Sequence, residues 1–121
     1  MSQKKSLKKD ISEIELNILR SLHSHPEFTQ RKLSSQLGVS LGSINYCINA
    51  LVDKGFVKVD SFKKASTKKK YLYLLTRKGI LEKTRSTIRF LEKKHSEYIQ
   101  LQNEIESLKS ELSEVQHEGY E

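Results

Sequence analysis

Asn45, Tyr46 and Asn49 carry chemistry that can discriminate between partners without charge. An Asn side chain sets a carbonyl acceptor beside an amide donor. That pair matches N6–H and N7 of adenine at the edge of a base pair. The Tyr46 ring can pack on a thymine methyl, or its hydroxyl can donate to a phosphate. All three sit in SLGSINYCINALVDKG, residues 40–55, which reads as a helix opened by Ser40 and closed by Gly55. Ile44, Ile48 and Leu51 line one side of it, and Gly42, Ser43, Asn45, Tyr46 and Asn49 the other. No charged residue lies between Ser40 and Val52, although exposed helix faces ordinarily hold Glu, Lys and Gln.

A second chemistry lies in SFKKASTKKK, residues 61–70, where Lys63, Lys64, Lys68, Lys69 and Lys70 stand with no acid among them. Lysines so placed neutralise phosphates and release counterions. They supply position more than sequence information. The bland alternative is a solvated loop that touches nothing, and the uncompensated charge argues against it. Ser40 and Ser43, with the N–H groups of a helix start, can hold a phosphate. Gly42 would let the backbone come close. Thr29, Gln30 and Arg31, at the start of the preceding helix, are assigned to backbone contact as well. Base readout is assigned to Ser43, Asn45, Tyr46 and Asn49.

Catalytic and metal chemistry finds little support. His23 and His25 are two apart in HSHP, which does not place two ligands on one helix face. His95 and His117 are remote from them. There is no Gly-rich phosphate loop, clustered carboxylate pair or nucleophile elbow. Cys47 neighbours Ile48 on the apolar side and reads as a small core residue. No enzyme activity, cofactor or metal is expected, and a site from His23, His25 and Cys47 is a remote option.

The elements that must position these residues follow from local signals. Ser12 and Glu15 have capping-box spacing, and Ile11 and Leu16 the spacing of a hydrophobic staple. Ile14, Ile18, Leu19 and Leu22 continue a helical stripe until Pro26. Residues 27–29 have room only for a single strand bridge. Thr29 caps a second helix with Leu33 and Leu37 on one face, and Gly38 ends it. Only GVS separates it from the helix that Ser40 caps. Two helices joined by a tight Gly-containing turn form a helix-turn-helix, with a generic helical hairpin as the plain alternative. FVKVD and YLYLL then alternate as strands around the Lys loop. The predicted fold is mainly α with a small β-wing: a winged helix-turn-helix followed by a long C-terminal helix.

That last helix is capped by Thr76 and is expected to run to about residue 116. Ile80, Thr84, Ile88, Leu91, His95 and Tyr98 line its first half, and Ile80, Ile88 and Leu91 are expected to cover the winged-helix core. Tyr98, Leu101, Ile105, Leu108, Leu112 and Val115 form a coiled-coil seam, after a stammer-like phase slip at Tyr98. A homodimer is expected. With Glu104 at g and Lys109 at e, parallel pairing is mildly preferred. The expected divisions are a basic arm (1–10), the winged helix-turn-helix (11–79), a dimerisation helix (80–116) and a tail (117–121).

Composition sets the class of partner. Of 121 residues, 36% are hydrophobic, and the mean hydropathy is −0.61, which fits one small core plus a solvated extension. Residues 1–95 hold 21 Lys/Arg against 8 Asp/Glu, whereas residues 96–121 hold 1 against 7. A basic body with an acidic tail suggests a polyanion, nucleic acid first. A single cysteine, no apolar run of about 18 residues and no signal-peptide pattern suggest a cytoplasmic protein.

The run QRKLSSQLGVS (30–40), with Ser43-Ile44, LVDKGFVK (51–58) and LTRKG (75–79), resembles the winged-helix domain of the MarR family of bacterial transcriptional regulators. SLGSINYCINALVDKGFVKV and YLYLLTRKGILEKTRSTIRFL resemble the branch associated with exopolysaccharide gene clusters. The likeness spans roughly residues 12–105. It implies a dimeric cytoplasmic regulator of double-stranded DNA, with the third helix in the major groove and the wing on the flanking minor groove or backbone. This sequence departs from the family at three places. Tyr46 stands where an Arg is common. The wing's Asp-x-Arg is replaced by Asp60-Ser61-Phe62-Lys63. Only about ten residues precede the first helix, where typical members add a dimerisation helix, so no small-molecule effector is assigned. Two other readings are a winged-helix protein-interaction module docking through its coiled coil, and RNA binding, which lacks stacking aromatics beyond Tyr46 and Phe62.

Overall fold

The computed structural model describes residues 10–63 and 69–119, so Lys64 and Lys68 of the expected wing loop and most of the basic arm lie outside the described residues. It forms two compact units, one ending at Thr87 and the other beginning at Ile88.

Helix α1 (Glu13–Ser24) starts where the sequence requires. Ser12 Oγ accepts from Glu15 N at 3.1 Å, and Glu15 Oε1 accepts from Ser12 N at 2.8 Å. Each group satisfies a donor that the helix start leaves open. Ile11 and Leu16 are both buried, as a staple requires, and Ile18, Leu19 and Leu22 complete the buried face. Ile14 does not belong to it, being 38% exposed. The buried arc centres on Glu15, Leu19 and Leu22, which puts Ile14 at its edge. Glu15 takes the inward place and meets Lys54 Nζ at 3.5 Å. After the helix, Pro26 O accepts from Tyr73 N at 3.1 Å, so the tie to a strand falls one residue before the expected 27–29.

Helices α2 (Gln30–Leu37) and α3 (Leu41–Asp53) follow the local signals closely. Thr29 Oγ1 accepts from Lys32 N at 3.0 Å and Ser40 Oγ from Ser43 N at 3.1 Å. Gly38 takes φ 67°, the left-handed conformation that ends a helix without a Cβ penalty. Leu33, Ile44, Ile48 and Leu51 are fully buried, which locks the two helices against α1. Helix α3 stops at Asp53, two residues short of Gly55, whose φ of 81° turns the chain into the wing.

Strand β1 (Val57–Lys63) pairs antiparallel with β2 (Lys69–Leu75), in register from Val57 opposite Leu75 to Lys63 opposite Lys69. The strands run further than the alternating stretches suggest. Lys63, Lys69 and Lys70 belong to the ladder, and only residues 64–68 remain between the strands.

Helix α4 (Arg77–Gly119) is capped as expected: Thr76 Oγ1 accepts from Gly79 N at 3.0 Å and donates to Gly55 O at 2.6 Å. Its inward face is not the expected one. Gly79, Glu82 and Ser86 are buried, whereas Ile80, Ile88 and Leu91 are 41%, 56% and 66% exposed. The reason is backbone proximity. A Cβ on residue 79 would lie 2.0 Å from Phe56 O, so only Gly fits there. Residues three and seven further on, Glu82 and Ser86, then face inward by helical geometry. Glu82 is neutralised in place: Oε2 accepts from Ser86 Oγ at 2.8 Å and from Arg85 Nη2 at 2.9 Å. Arg85 also reaches Asp10 Oδ1 at 3.3 Å, and these carboxylates, Glu82 foremost, hold its guanidinium above the ordinary arginine range.

The second unit is helix throughout its described part, and its seam residues Tyr98, Leu101, Ile105, Leu108, Leu112 and Val115 are 43–64% exposed. No helix among the described residues is long and apolar enough to cross a membrane.

Candidate nucleic-acid interface

The exposed side of α3 is built around a run of side-chain amides. Asn49 Nδ2 donates to Asn45 Oδ1 at 3.3 Å, one helical turn earlier. Asn45 Nδ2 donates to Gln30 Oε1 at 3.2 Å, and Gln30 Nε2 to the Tyr73 hydroxyl at 3.2 Å. The chain of three bonds therefore passes from α3 to the first residue of α2 and on to β2. Each member keeps hydrogen-bonding capacity in reserve, since an amide offers two donors and two lone pairs. Asn45 and Asn49 remain exposed and available to a partner.

Tyr46 stands beside this run and is 76% exposed, so it does not pack against the wing. Ser40 and Ser43 mark the N-terminal end of α3, where Ser40 Oγ also donates to Ser43 Oγ at 3.0 Å. Neither α2 nor α3 carries an acid in its first turn, so nothing cancels the positive end of either helix dipole. A Cβ at Gly42 would meet nothing within 4 Å. The fold does not require glycine there, which leaves its small size available for contact with something outside the chain.

Of the assigned backbone-contact residues, Arg31, Ser40, Gly42 and Lys70 are exposed. Thr29 acts as the cap of α2, and Gln30 bridges Asn45 to Tyr73. Lys63 pairs with Lys69 in the backbone register at the strand ends. The bridging role of Gln30 and Tyr73 was not visible in the sequence. They lie 43 positions apart, and neither belongs to a motif that pairs them.

Other reactive groups are occupied. Burial pushes the Cys47 thiol up, the Glu15 carboxylate adds to the rise and Lys54 opposes it. The rise disfavours the thiolate, the reactive form of the group. His25 stacks on Phe28 at 4.5 Å and meets Glu27 through Nδ1 at 3.4 Å. Among the described residues no three His, Cys, Asp or Glu come together as a metal site would need.

Residues 11–58 match the family model described as winged helix-turn-helix DNA-binding. The fold is a winged helix-turn-helix. In its terms α3 is the second helix of the helix-turn-helix and β1–β2 the wing. Similar solved structures are MarR-family regulators. FabT of Streptococcus pneumoniae, solved in complex with DNA, is 27% identical at a TM-score of 0.53, over 75% of this chain and 62% of that one. ZitR of Lactococcus lactis, solved as a point mutant, is 20% identical at a TM-score of 0.61, over 93% and 77%. MarR of Staphylococcus aureus, solved with salicylate and kanamycin, is 18% identical at a TM-score of 0.55, over 74% and 58%. The chain thus spans about three fifths of the FabT and MarR chains. No curated protein sequence matches it.

Proposed function

We propose that this chain is a cytoplasmic transcriptional regulator of the MarR type, without enzyme activity, that binds a specific double-stranded DNA sequence as a homodimer. The observation that carries the reading is the uncharged, amide-rich face of the recognition helix beside a lysine-rich wing. An α-helix fits the major groove, and its exposed amides address base edges. Asn45 and Asn49 read adenine, Tyr46 packs on a neighbouring thymine, and Ser43 contacts the first base at the helix start. Thr29, Gln30, Arg31, Ser40 and Gly42 meet the sugar-phosphate backbone, as do the wing lysines Lys63, Lys64, Lys68, Lys69 and Lys70. The DNA-bound state of FabT, the relative at 27% identity, supports the same partner here. Exopolysaccharide genes as targets rest on the resemblance of SLGSINYCINALVDKGFVKV and YLYLLTRKGILEKTRSTIRFL.

The homodimer is assigned to the seam from Tyr98 to Val115, whose apolar side chains are exposed in the single chain. The same exposure favours a second reading, a winged-helix interaction module that docks a different protein through α4. Selection of bound duplexes from a random DNA pool, with mass in solution measured in parallel, separates the two. The regulator yields a roughly palindromic consensus with half-sites about 10 bp apart or a multiple of that, and a dimer mass. Sequence-blind, negligible binding at physiological salt would leave the interaction module standing.

A further inference from the structure

We propose that α4 pairs with α4 of a second copy running in the opposite direction, with the two-fold axis at Tyr98. This rests on the homodimer reading and adds its orientation and register. Within residues 88–108 the exposed apolar positions Ile88, Leu91, Leu101, Ile105 and Leu108 fall on steps that are symmetric about Tyr98, with His95 as the mirror of Leu101. Ile99 lies off these steps, and Leu112 and Val115 continue the seam beyond them. Steps of three, four and three lead forward to Leu101, Ile105 and Leu108. The same steps lead backward to His95, Leu91 and Ile88. A phase slip that would disturb a continuous heptad seam is thus the centre of a palindrome. Antiparallel helices place each position opposite its mirror image. Ile88 meets the partner's Leu108, Leu91 the partner's Ile105, His95 the partner's Leu101, and the two Tyr98 rings meet each other. Each half keeps an unbroken alternation of three and four, so the side chains can interdigitate layer by layer.

Charge points the same way. Residues 88–95 hold Arg89, Lys93 and Lys94 against one acid, Glu92. Residues 101–108 hold Glu104 and Glu106 and no cation. A parallel pair sets the basic stretch level with its own copy and the acidic stretch level with its own, relieved only by the Glu104–Lys109 pairing. An antiparallel pair sets the basic stretch, net +2, against the acidic one, net −2. Glu104 is level with the partner helix's Glu92 and lies on the same flank as its Lys94, two positions away. The Glu104–Lys109 pairing that favours a parallel arrangement considers residues 98–115 only. Extending the helix back to Ile88 brings in the basic stretch and shifts the balance.

Disulfide trapping in a Cys47→Ser background tests the arrangement. Positions 88 and 108 are 20 residues apart, about 30 Å along a helix, far beyond the Cα separation of about 7 Å that a disulfide allows. The expected result is that Ile88→Cys and Leu108→Cys chains cross-link when mixed, and that neither links to itself. Self-linking of Leu108→Cys without mixed linking would overturn the orientation and leave the homodimer reading intact. A monomer mass in solution would overturn both. Dimer dissociation constants supply a second readout that does not depend on cysteine geometry. Glu104→Lys should weaken the dimer several-fold, and adding Lys94→Glu should restore it. Rescue by Lys109→Glu in place of Lys94→Glu would signify a parallel pair.

Discussion

Asn45 donates to the side-chain carbonyl of Gln30 at 3.2 Å, tying α3 to the first residue of the helix before it. Gln30 is thereby a positioning residue for Asn45, in addition to whatever it touches in DNA. Gln30→Ala should lower affinity for the selected duplex by about 0.5–1.5 kcal/mol while changing thermal stability little. Combined with Asn45→Ala, the loss should be less than additive by a similar amount in a double-mutant cycle. Strict additivity in binding titrations would mean that the bond positions nothing.

Readout and attraction should separate by mutation. Tyr46→Ala and Asn49→Ala should each cost about 1–3 kcal/mol on the selected duplex and little on random DNA. Lys70→Ala should weaken both duplexes alike and reduce the salt slope by roughly one counterion. Titrations at several salt concentrations measure both. If the two kinds of variant behaved identically, the division of roles would be wrong.

Two glycines should respond oppositely to alanine. Gly79→Ala forces a Cβ into Phe56 O and should destabilise the domain by about 2–4 kcal/mol in denaturant melts. Gly42→Ala meets open space in the first turn of α3 and should stabilise by up to about 1 kcal/mol. If DNA backbone approaches there, Gly42→Ala should also weaken binding, so that stability and affinity move in opposite directions.

Glu82 is buried beside Ser86 and Arg85, and removing it takes one acceptor from each, while Arg85 keeps Asp10. Glu82→Ala should cost about 2 kcal/mol, at the lower end for a buried pair because Arg85 reaches solvent. Glu82→Gln keeps an acceptor for Ser86 and should cost less. Urea unfolding of the three proteins measures the order.

Cys47 supplies a pH test. Its thiol is raised in the folded chain, chiefly by burial, so the folded state holds the proton more tightly than the unfolded state does. Stability should therefore fall as pH rises through the unfolded thiol range, about 8.5. Cys47→Ala should flatten that fall. Alkylation by iodoacetamide should accelerate at higher pH than it does for a free cysteine peptide.

What the sequence made legible was what residues three or four apart decide among themselves. Ser12, Thr29, Ser40 and Thr76 were readable as caps because a cap bonds within its own first turn. Gly38 was readable for the same reason. The inward face of α4 was not readable. Periodicity identifies Ile80, Ile88 and Leu91 as apolar, but the closeness of Phe56 O to Gly79 is a relation between two backbones. The wing's length was obscured because a ladder is held by main-chain bonds, and polar residues such as Ser61 and Lys70 can extend it. The assigned reading residues lay together on α3 as their spacing required, whereas the Gln30–Tyr73 link spans two elements and left no local trace.

The run from Asn49 to Tyr73 also has a direction. As it stands, every amide nitrogen points toward the wing and Tyr73 is the final acceptor. A phenol donates as readily as it accepts, and an amide can turn end for end. The run is therefore self-consistent in reverse, with Tyr73 donating and Asn49 receiving. One amide cannot turn alone without setting donor against donor or acceptor against acceptor. A base that fixes the orientation of Asn49 thereby fixes the sense of all four groups, and the wing strand takes the same sense as the base edge being read.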